Sequence, residues 1–176
     1  EESGELPVVT NSAGCGSHMK EYANLFTDEA DWRERAERFS ARVRDLSEIL
    51  AERPLETLAT ESVSGPITYD DPCHLCHGQG VRSEPRAILD QTGHEQVELR
   101  DSESCCGSAG IYSALRPKDA ALILEPKLDA LVDSGAKTLV TANPGCQLQW
   151  QAGIKDRELD VEVLHLAELL ERSLKD

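Results

Sequence analysis

The chain has little aromatic mass, little positive charge, little cysteine and no long apolar run. Aromatics make up 4% of its 176 residues, beside 39% hydrophobic and 29% charged ones. That is an ordinary balance for a soluble α/β protein with one good core or two small ones. Lysine and arginine number 18 against 33 acidic residues, for a net charge of −15. Nucleic-acid phosphates would be repelled rather than neutralised, so no nucleic-acid partner is expected. The charge reads first as a solvated surface that resists aggregation. No stretch approaches the roughly 18 apolar residues that span a bilayer, and the first residues show no signal-peptide pattern. The expectation is therefore no transmembrane segment and a cytoplasmic location. Six cysteines are too few for a disulfide scaffold, which exceeds about 8–10% cysteine in a short chain. Thiols kept reduced for metal fit better.

What is present is a set of cysteines beside proline or glycine: Asp71-Pro72-Cys73-His74-Leu75-Cys76, then Cys105-Cys106-Gly107, then Asn143-Pro144-Gly145-Cys146. Three segments supply thiols, a pattern that lets loops gather soft ligands and backbone N–H groups around one inorganic centre. Adjacent Cα atoms lie about 3.8 Å apart, below the usual disulfide window, so Cys105 and Cys106 are poorly placed to bridge one another. Two neighbouring thiols of this kind read as two metal ligands.

The chain also repeats itself. Val8-Val9-Thr10-Asn11-Ser12-Ala13-Gly14-Cys15 matches Leu139-Val140-Thr141-Ala142-Asn143-Pro144-Gly145-Cys146 at Val, Thr, Gly and Cys. Further on, Asp45-Leu46-Ser47-Glu48-Ile49-Leu50 resembles His165-Leu166-Ala167-Glu168-Leu169-Leu170. Two matches in the same order indicate duplication. Counterparts of Cys73 and Cys105-Cys106 would precede Cys15, where only a strand and a few residues stand; the expectation is a fragment whose first repeat lacks its front half. Residues 1–58 then form the C-terminal part of a first repeat, 59–66 a linker rich in Thr, Ser and Gly, and 67–176 a complete second repeat.

Within this frame the patterns predict a strand into the Cys15 turn, a helix from about Ser17, and one charged helix over Asp31–Leu50 with i,i+4 pairs along Asp31–Arg44. In the second repeat they predict strands at Ile67–Tyr69, Gln96–Leu99, Thr138–Thr141 and Glu162–Leu164. Helices are predicted over Glu84–Leu89, Pro117–Val132 and Leu166–Leu174, the second kinked or restarted at Pro126 and burying Leu124, Leu128, Leu131 and Val132. Strands alternating with helices imply an α/β fold with a mostly parallel sheet flanked by helices, functional turns lying at strand carboxyl ends.

Thiolates without excess histidine or carboxylate suit zinc or an iron–sulphur cluster. Structural zinc normally takes two tight knuckles, and only Cys73 and Cys76 form one. Distributed thiols beside Gly107, Gly110 and Gly145 fit a cluster better, because small residues admit N–H groups to the sulfides. A helix beginning just after Cys146 would add favourable dipoles. Cys76 is a fifth ligand or a buried small hydrophobe. His74 and His77 read as hydrogen-bonding neighbours of the centre rather than iron ligands, and His18 and His165 lack a supporting constellation. Asp70 and Asp71 read as turn formers before Pro72 rather than general bases.

Together the motifs resemble the cysteine-rich "CCG" domain family, whose members include a heterodisulfide reductase subunit, the anaerobic glycerol-3-phosphate dehydrogenase small subunit and lactate-utilisation proteins. The segments NSAGCGSHMKEY, DPCHLCHGQGVRSEPR, CCGSAGIYS and NPGCQLQ look nearest to glycolate oxidase iron–sulphur subunits. The resemblance implies tandem domains and a cluster bound by Cys73, Cys105, Cys106 and Cys146, with Cys15 as the last cysteine of the first domain. His74, Gly107 and Gly145 would lie just outside the ligand set. Some members close the motif with Cys-x-x-Cys and hold five thiols; here Gln149 stands at that place, so four thiolates around a [4Fe–4S] centre is the simpler implication. The function implied is an electron-transfer subunit with no catalytic residue of its own. It would take electrons from an FAD-binding partner that oxidises glycolate or a similar 2-hydroxy acid, and pass them towards quinone at the inner membrane. The alternatives are disulfide chemistry at the cluster, a lactate or glycerol-3-phosphate dehydrogenase iron–sulphur subunit, and a zinc-stabilised module with no redox role.

Overall fold

A computed structural model describes residues 6–55 and 63–174. In chain order these form β1 (Val8–Thr10), α1 (Ala13–Lys20), a 3-10 turn at Tyr22–Leu25, α2 (Ala30–Ser40), β2 (Val43–Asp45) and α3 (Leu46–Ala51). There follow β3 (Ile67–Asp70), a π-helical turn at His74–Gln79, α4 (Ser83–Thr92), α5 (Tyr112–Leu115) and α6 (Pro117–Ser134). The chain closes with β4 (Thr138–Thr141), α7 (Pro144–Asp156), β5 (Glu162–His165) and α8 (Leu166–Ser173). Residues 59–62 of the expected linker lie outside the described residues.

All strand pairs are parallel, as the alternation of strands and helices implied. One sheet joins β1 to β2; the other has the order β3-β4-β5. Every residue of β3 and β4 is buried, so the larger sheet is covered on both faces. Period-two alternation splits its side chains. Leu139 and Val163 face α6 and α7, packing with Leu124, Leu128, Leu131 and Trp150. Ile67, Tyr69, Val140 and Leu164 face the other way, packing with α4, α8 and Ala13 of α1. The N-terminal unit docks on this second face through Ala13, Leu50 and Ala51.

The repeat seen in sequence extends to register. Thr10 pairs with Asp45 and Thr141 with His165, at corresponding places in the two sheets. Each partner then caps a helix. Asp45 accepts from Ser47 N–H at 2.9 Å, and Glu48 accepts from Asp45 N–H at 2.7 Å. His165 Nδ1 accepts from Ala167 N–H at 3.1 Å, and Glu168 accepts from His165 N–H at 2.7 Å. These are two capping boxes, one built on aspartate and one on histidine. His165, assigned no role from sequence, is thus a buried structural cap.

Four expectations need correction. Asp31–Leu50 is not one helix: α2 ends at Ser40, and Val43–Asp45 forms β2 before α3. The Arg/Glu pattern continues through a three-residue strand too short to show alternation; within α2 the expected pairs form, Arg33–Glu37 at 3.2 Å and Arg38–Glu34 at 2.6 Å. Gln96–Leu99 contributes only a single bridge, Gln96 to Ile67. Pro126 neither breaks nor restarts α6. It lies on the exposed face, as does Leu122, whose carbonyl loses its i+4 donor and can turn to water. Val132 stays 54% exposed, because the buried stripe runs through Leu124, Leu128 and Leu131.

Candidate metal centre

Three chain segments meet at the carboxyl end of the larger sheet. Cys73 follows β3 after Asp71-Pro72, the loop 101–107 carries Cys105 and Cys106, and α7 begins immediately after β4. Cys146 and Cys15 both occupy the third position of a helix, rather than lying ahead of one or in a turn. The first turn exposes N–H groups and a positive dipole end, so both sulfurs sit where negative charge is favoured. In α7 the cap residue is Asn143, whose Nδ2 donates to Cys146 Sγ at 3.3 Å and whose Oδ1 accepts from Gly14 N–H at 3.3 Å. Asn143 thereby links the thiol to α1 of the N-terminal unit.

The structure brings the four predicted thiols into one neighbourhood: Cys73 interacts with Cys105 and Cys106, and Cys106 with Cys146. Burial first, then the Cys105 charge, pushes the Cys73 thiol up to about 11. The interaction between Cys106 and Cys146 lowers the Cys106 thiol and, with burial, raises Cys146 above the ordinary thiol range. Adjacent in sequence, Cys105 is exposed and Cys106 buried, yet both face Cys73.

Glycine is required at position 107. Gly107 has φ +87°, its N–H donates to Cys105 Sγ at 3.3 Å, and a Cβ there would sit 2.5 Å from the Ala120 carbonyl oxygen. A Cβ on Gly145 would lie 2.8 Å from Ser108 Oγ. His74 places Nδ1 3.7 Å from Cys73 Sγ, on the exposed rim.

Cys76 and Cys15 stand apart. Cys76 is buried with its sulfur 3.8 Å from the Cys73 carbonyl oxygen and 4.0 Å from that of Asp71; its charged neighbours are Arg82, Asp71 and Glu103 rather than thiols. With His77 and Glu103 it forms a trio whose ligand atoms lie within 4.8 Å of one another. Arg82 already satisfies the other two members, pairing with Glu103 at 2.6 Å and donating to His77 Nδ1 at 3.1 Å. Since guanidinium only donates, the proton of His77 sits on Nε2, facing the Glu103 carbonyl at 3.3 Å. Cys15 is exposed on α1. Gln149 turns to α6 and donates to the Ala120 carbonyl at 3.2 Å.

Asp70 and Asp71 do more than form a turn. Asp71 pairs with Arg86 at 2.6 Å, and Asp70, the last residue of β3, pairs with buried Lys127 at 2.7 Å. Sequence reasoning passes over Lys127 and Asn143, since a lysine among helical charges and an asparagine before proline have common solvent-side or turn roles. No local signal marks either.

The site's frame matches a known pattern. Residues 67–151 match the family of the cysteine-rich domain, CCG. Over most of its length the chain is similar to the "Probable glycolate oxidase iron-sulfur subunit" of Bacillus subtilis strain 168, 40% identical over 93% of this chain and 38% of the relative. It is also similar to the glycolate oxidase iron–sulfur subunit of Escherichia coli K12, 32% identical over 99% of the chain and 41% of the relative. A third relative is a subunit of the fumarate reductase (CoM/CoB) of Methanothermobacter marburgensis, 33% identical over 96% of the chain and 32% of the relative. The chain therefore spans about two fifths of the length of the first two relatives. No helix among the described residues is long and apolar enough to cross a membrane.

Proposed function

We propose that the chain is the cluster-binding part of an iron–sulphur subunit that relays electrons for a flavin-dependent oxidase of glycolate or a related 2-hydroxy acid. The supporting observation is the meeting of Cys73, Cys105, Cys106 and Cys146 from three segments at one sheet edge. The donor set suits an iron–sulphur group: four thiols, no carboxylate paired with them, and glycines that let backbone approach closely. A [4Fe–4S] cluster held there would accept and release single electrons. The protein's own contribution is to hold the thiols, to donate from Gly107 N–H and Asn143 Nδ2 to sulfur, and to present the positive end of α7. His74 would stand at the rim.

In this reading FAD belongs to a partner oxidase subunit, catalysis belongs to that partner, and quinone is the eventual acceptor. The chain would work in the cytoplasm, meeting the inner membrane only through partners. Residues 1–58 would be part of one repeat and 67–176 a second domain. Disulfide chemistry is less well supported, because Gln149 occupies the place of a fifth thiol and is hydrogen-bonded to α6.

Anaerobic reconstitution with iron and sulfide tests the reading. A brown chain whose broad visible band is bleached by dithionite is the expected result. A colourless chain that takes up zinc and no iron would sink it.

A further inference from the structure

Lys127 lies on α6 and is 2% exposed, the largest buried charged side chain among the described residues. Its ammonium forms an ion pair with Asp70 Oδ1 at 2.7 Å and donates to the Ser104 carbonyl at 2.7 Å, the Ser102 carbonyl at 2.8 Å and the Asp101 carbonyl at 3.5 Å. Its Nζ also stands 5.7 Å from the centre of the Trp150 ring. The contacts fall on the thiol-bearing segments. Ser104 immediately precedes Cys105-Cys106, and Asp70 ends the strand that leads to Cys73. The other oxygen of Asp70 accepts from Thr141 Oγ1 at 3.0 Å, at the end of the strand that leads to Cys146.

Burying an ion pair is costly, and well-packed apolar residues of similar volume often serve stability as well. Stability alone is thus a weak reason for this pair. We infer that Lys127 is a positioning residue for the thiol site, clamping loop 101–106 to the end of β3. We further infer that the Lys127–Asp70 pair sets the reduction potential of the cluster proposed there. The inference rests on the iron–sulphur reading for its second half. In a poorly polarisable interior, a buried positive charge stabilises a thiolate cluster after it gains an electron, whereas the neighbouring carboxylate opposes the gain.

The test uses the reconstituted 176-residue chain and its K127M, D70N and K127M/D70N variants, titrated by spectroelectrochemistry. K127M should shift the midpoint potential to more negative values and D70N to more positive ones. The double variant, neutral at both places, should lie nearer the parent than either single change. A packing role alone gives no such pair of opposite signs. Equal potentials in parent and K127M, or shifts of K127M and D70N in the same direction, would overturn the electrostatic half. Should K127M take up no iron, D70N carries that half: an unshifted D70N overturns it. The clamp is tested without any cluster, by hydrogen exchange in the apo chain. Amides of residues 102–106 should exchange roughly tenfold faster in K127M while those of α8 stay unchanged; unchanged exchange at 102–106 overturns the clamp. A parent chain that binds no iron defeats the function proposed above, and the exchange result then still decides the clamp.

Discussion

The units 8–51 and 138–173 run through the same order of strand, cysteine helix, second strand and capped helix, yet only the second carries a multi-thiol site. In both, a parallel strand pair ends on a capping residue, and a cysteine occupies the third position of the following helix. The difference lies in what surrounds them. The second unit has β3 beside it and helices on both faces, so Leu139 is fully buried where its counterpart Val8 is only half-buried. Cys146 meets Cys106, brought by the 101–107 loop, whereas Cys15 faces solvent. A cysteine at a helix start is a local device that both units share. A centre needs thiols from outside the shared segment.

Serine substitutions press that contrast hardest. Replacing Cys73, Cys105, Cys106 or Cys146 should remove most of the iron and sulfide bound after reconstitution, since a serine oxygen substitutes poorly for thiolate on iron. Cys15→Ser and Cys76→Ser should keep near-parental content. Equal loss from Cys15→Ser would show that the two cysteine helices serve one centre.

Packing gives the next effect. Leu139→Ala should destabilise the chain by about 3 kcal/mol, within the usual range for a fully buried leucine, and Val8→Ala by about 1 kcal/mol or less. Chemical denaturation reads both, and equal losses would erase the distinction between the sheets. Hydrogen exchange should agree, with amides of β1 and β2 less protected than those of β3, β4 and β5.

The two caps should respond oppositely to pH. Burial lowers the pKa of His165 from its ordinary 6.5, and its Nδ1 must be unprotonated to accept from Ala167. The unfolded chain therefore binds a proton at a pH where the folded chain does not. The stability from this cap is present above pH 6.5 and falls as pH drops from 6.5 towards the lowered folded value. Burial raises Asp45 above its ordinary 3.8, so its contribution is complete below pH 3.8 and is lost as pH rises through the raised value. In melting curves against pH, His165→Asn should flatten the loss as pH falls below 6.5, and Asp45→Asn should remove the loss as pH rises above 3.8. Matching pH profiles for the two variants would show that the caps are equivalent.

Surface charge should matter least. Removing Arg33 and Glu37 together should change stability by less than about 0.5 kcal/mol, because both side chains are about half exposed. A larger change would mean that α2 contributes more to the N-terminal unit than its single buried residue, Ala36, indicates.

Much of the fold is legible in order along the chain. The strands at 67 and 138, the helix over 117–134 and the strand-to-helix passage at 162–166 each carry a local apolar pattern or a capping signature. The three-residue strand β2 does not, being too short to alternate and embedded in a charged helical stretch. The segment 96–99 reads as a strand by composition, but its neighbours pair with it at only one residue. Pro126 reads as a break because a linear pattern does not say that its turn of α6 faces water.

The order of amino acids alone settles which residue types can hold a soft metal, that glycines stand beside them, and that two stretches resemble one another, because covalent neighbours and short-range periodicity are written in it directly. Which thiols meet is a matter of packing in three dimensions. Cys76, in the same short motif as Cys73, points towards Arg82 and Glu103, while Cys146, far along the chain, reaches Cys106. Packing likewise buries a lysine of α6 against the thiol-bearing loop. Such choices depend on which faces the parallel strands present and how helices cover them, and those are set by contacts between segments remote in sequence.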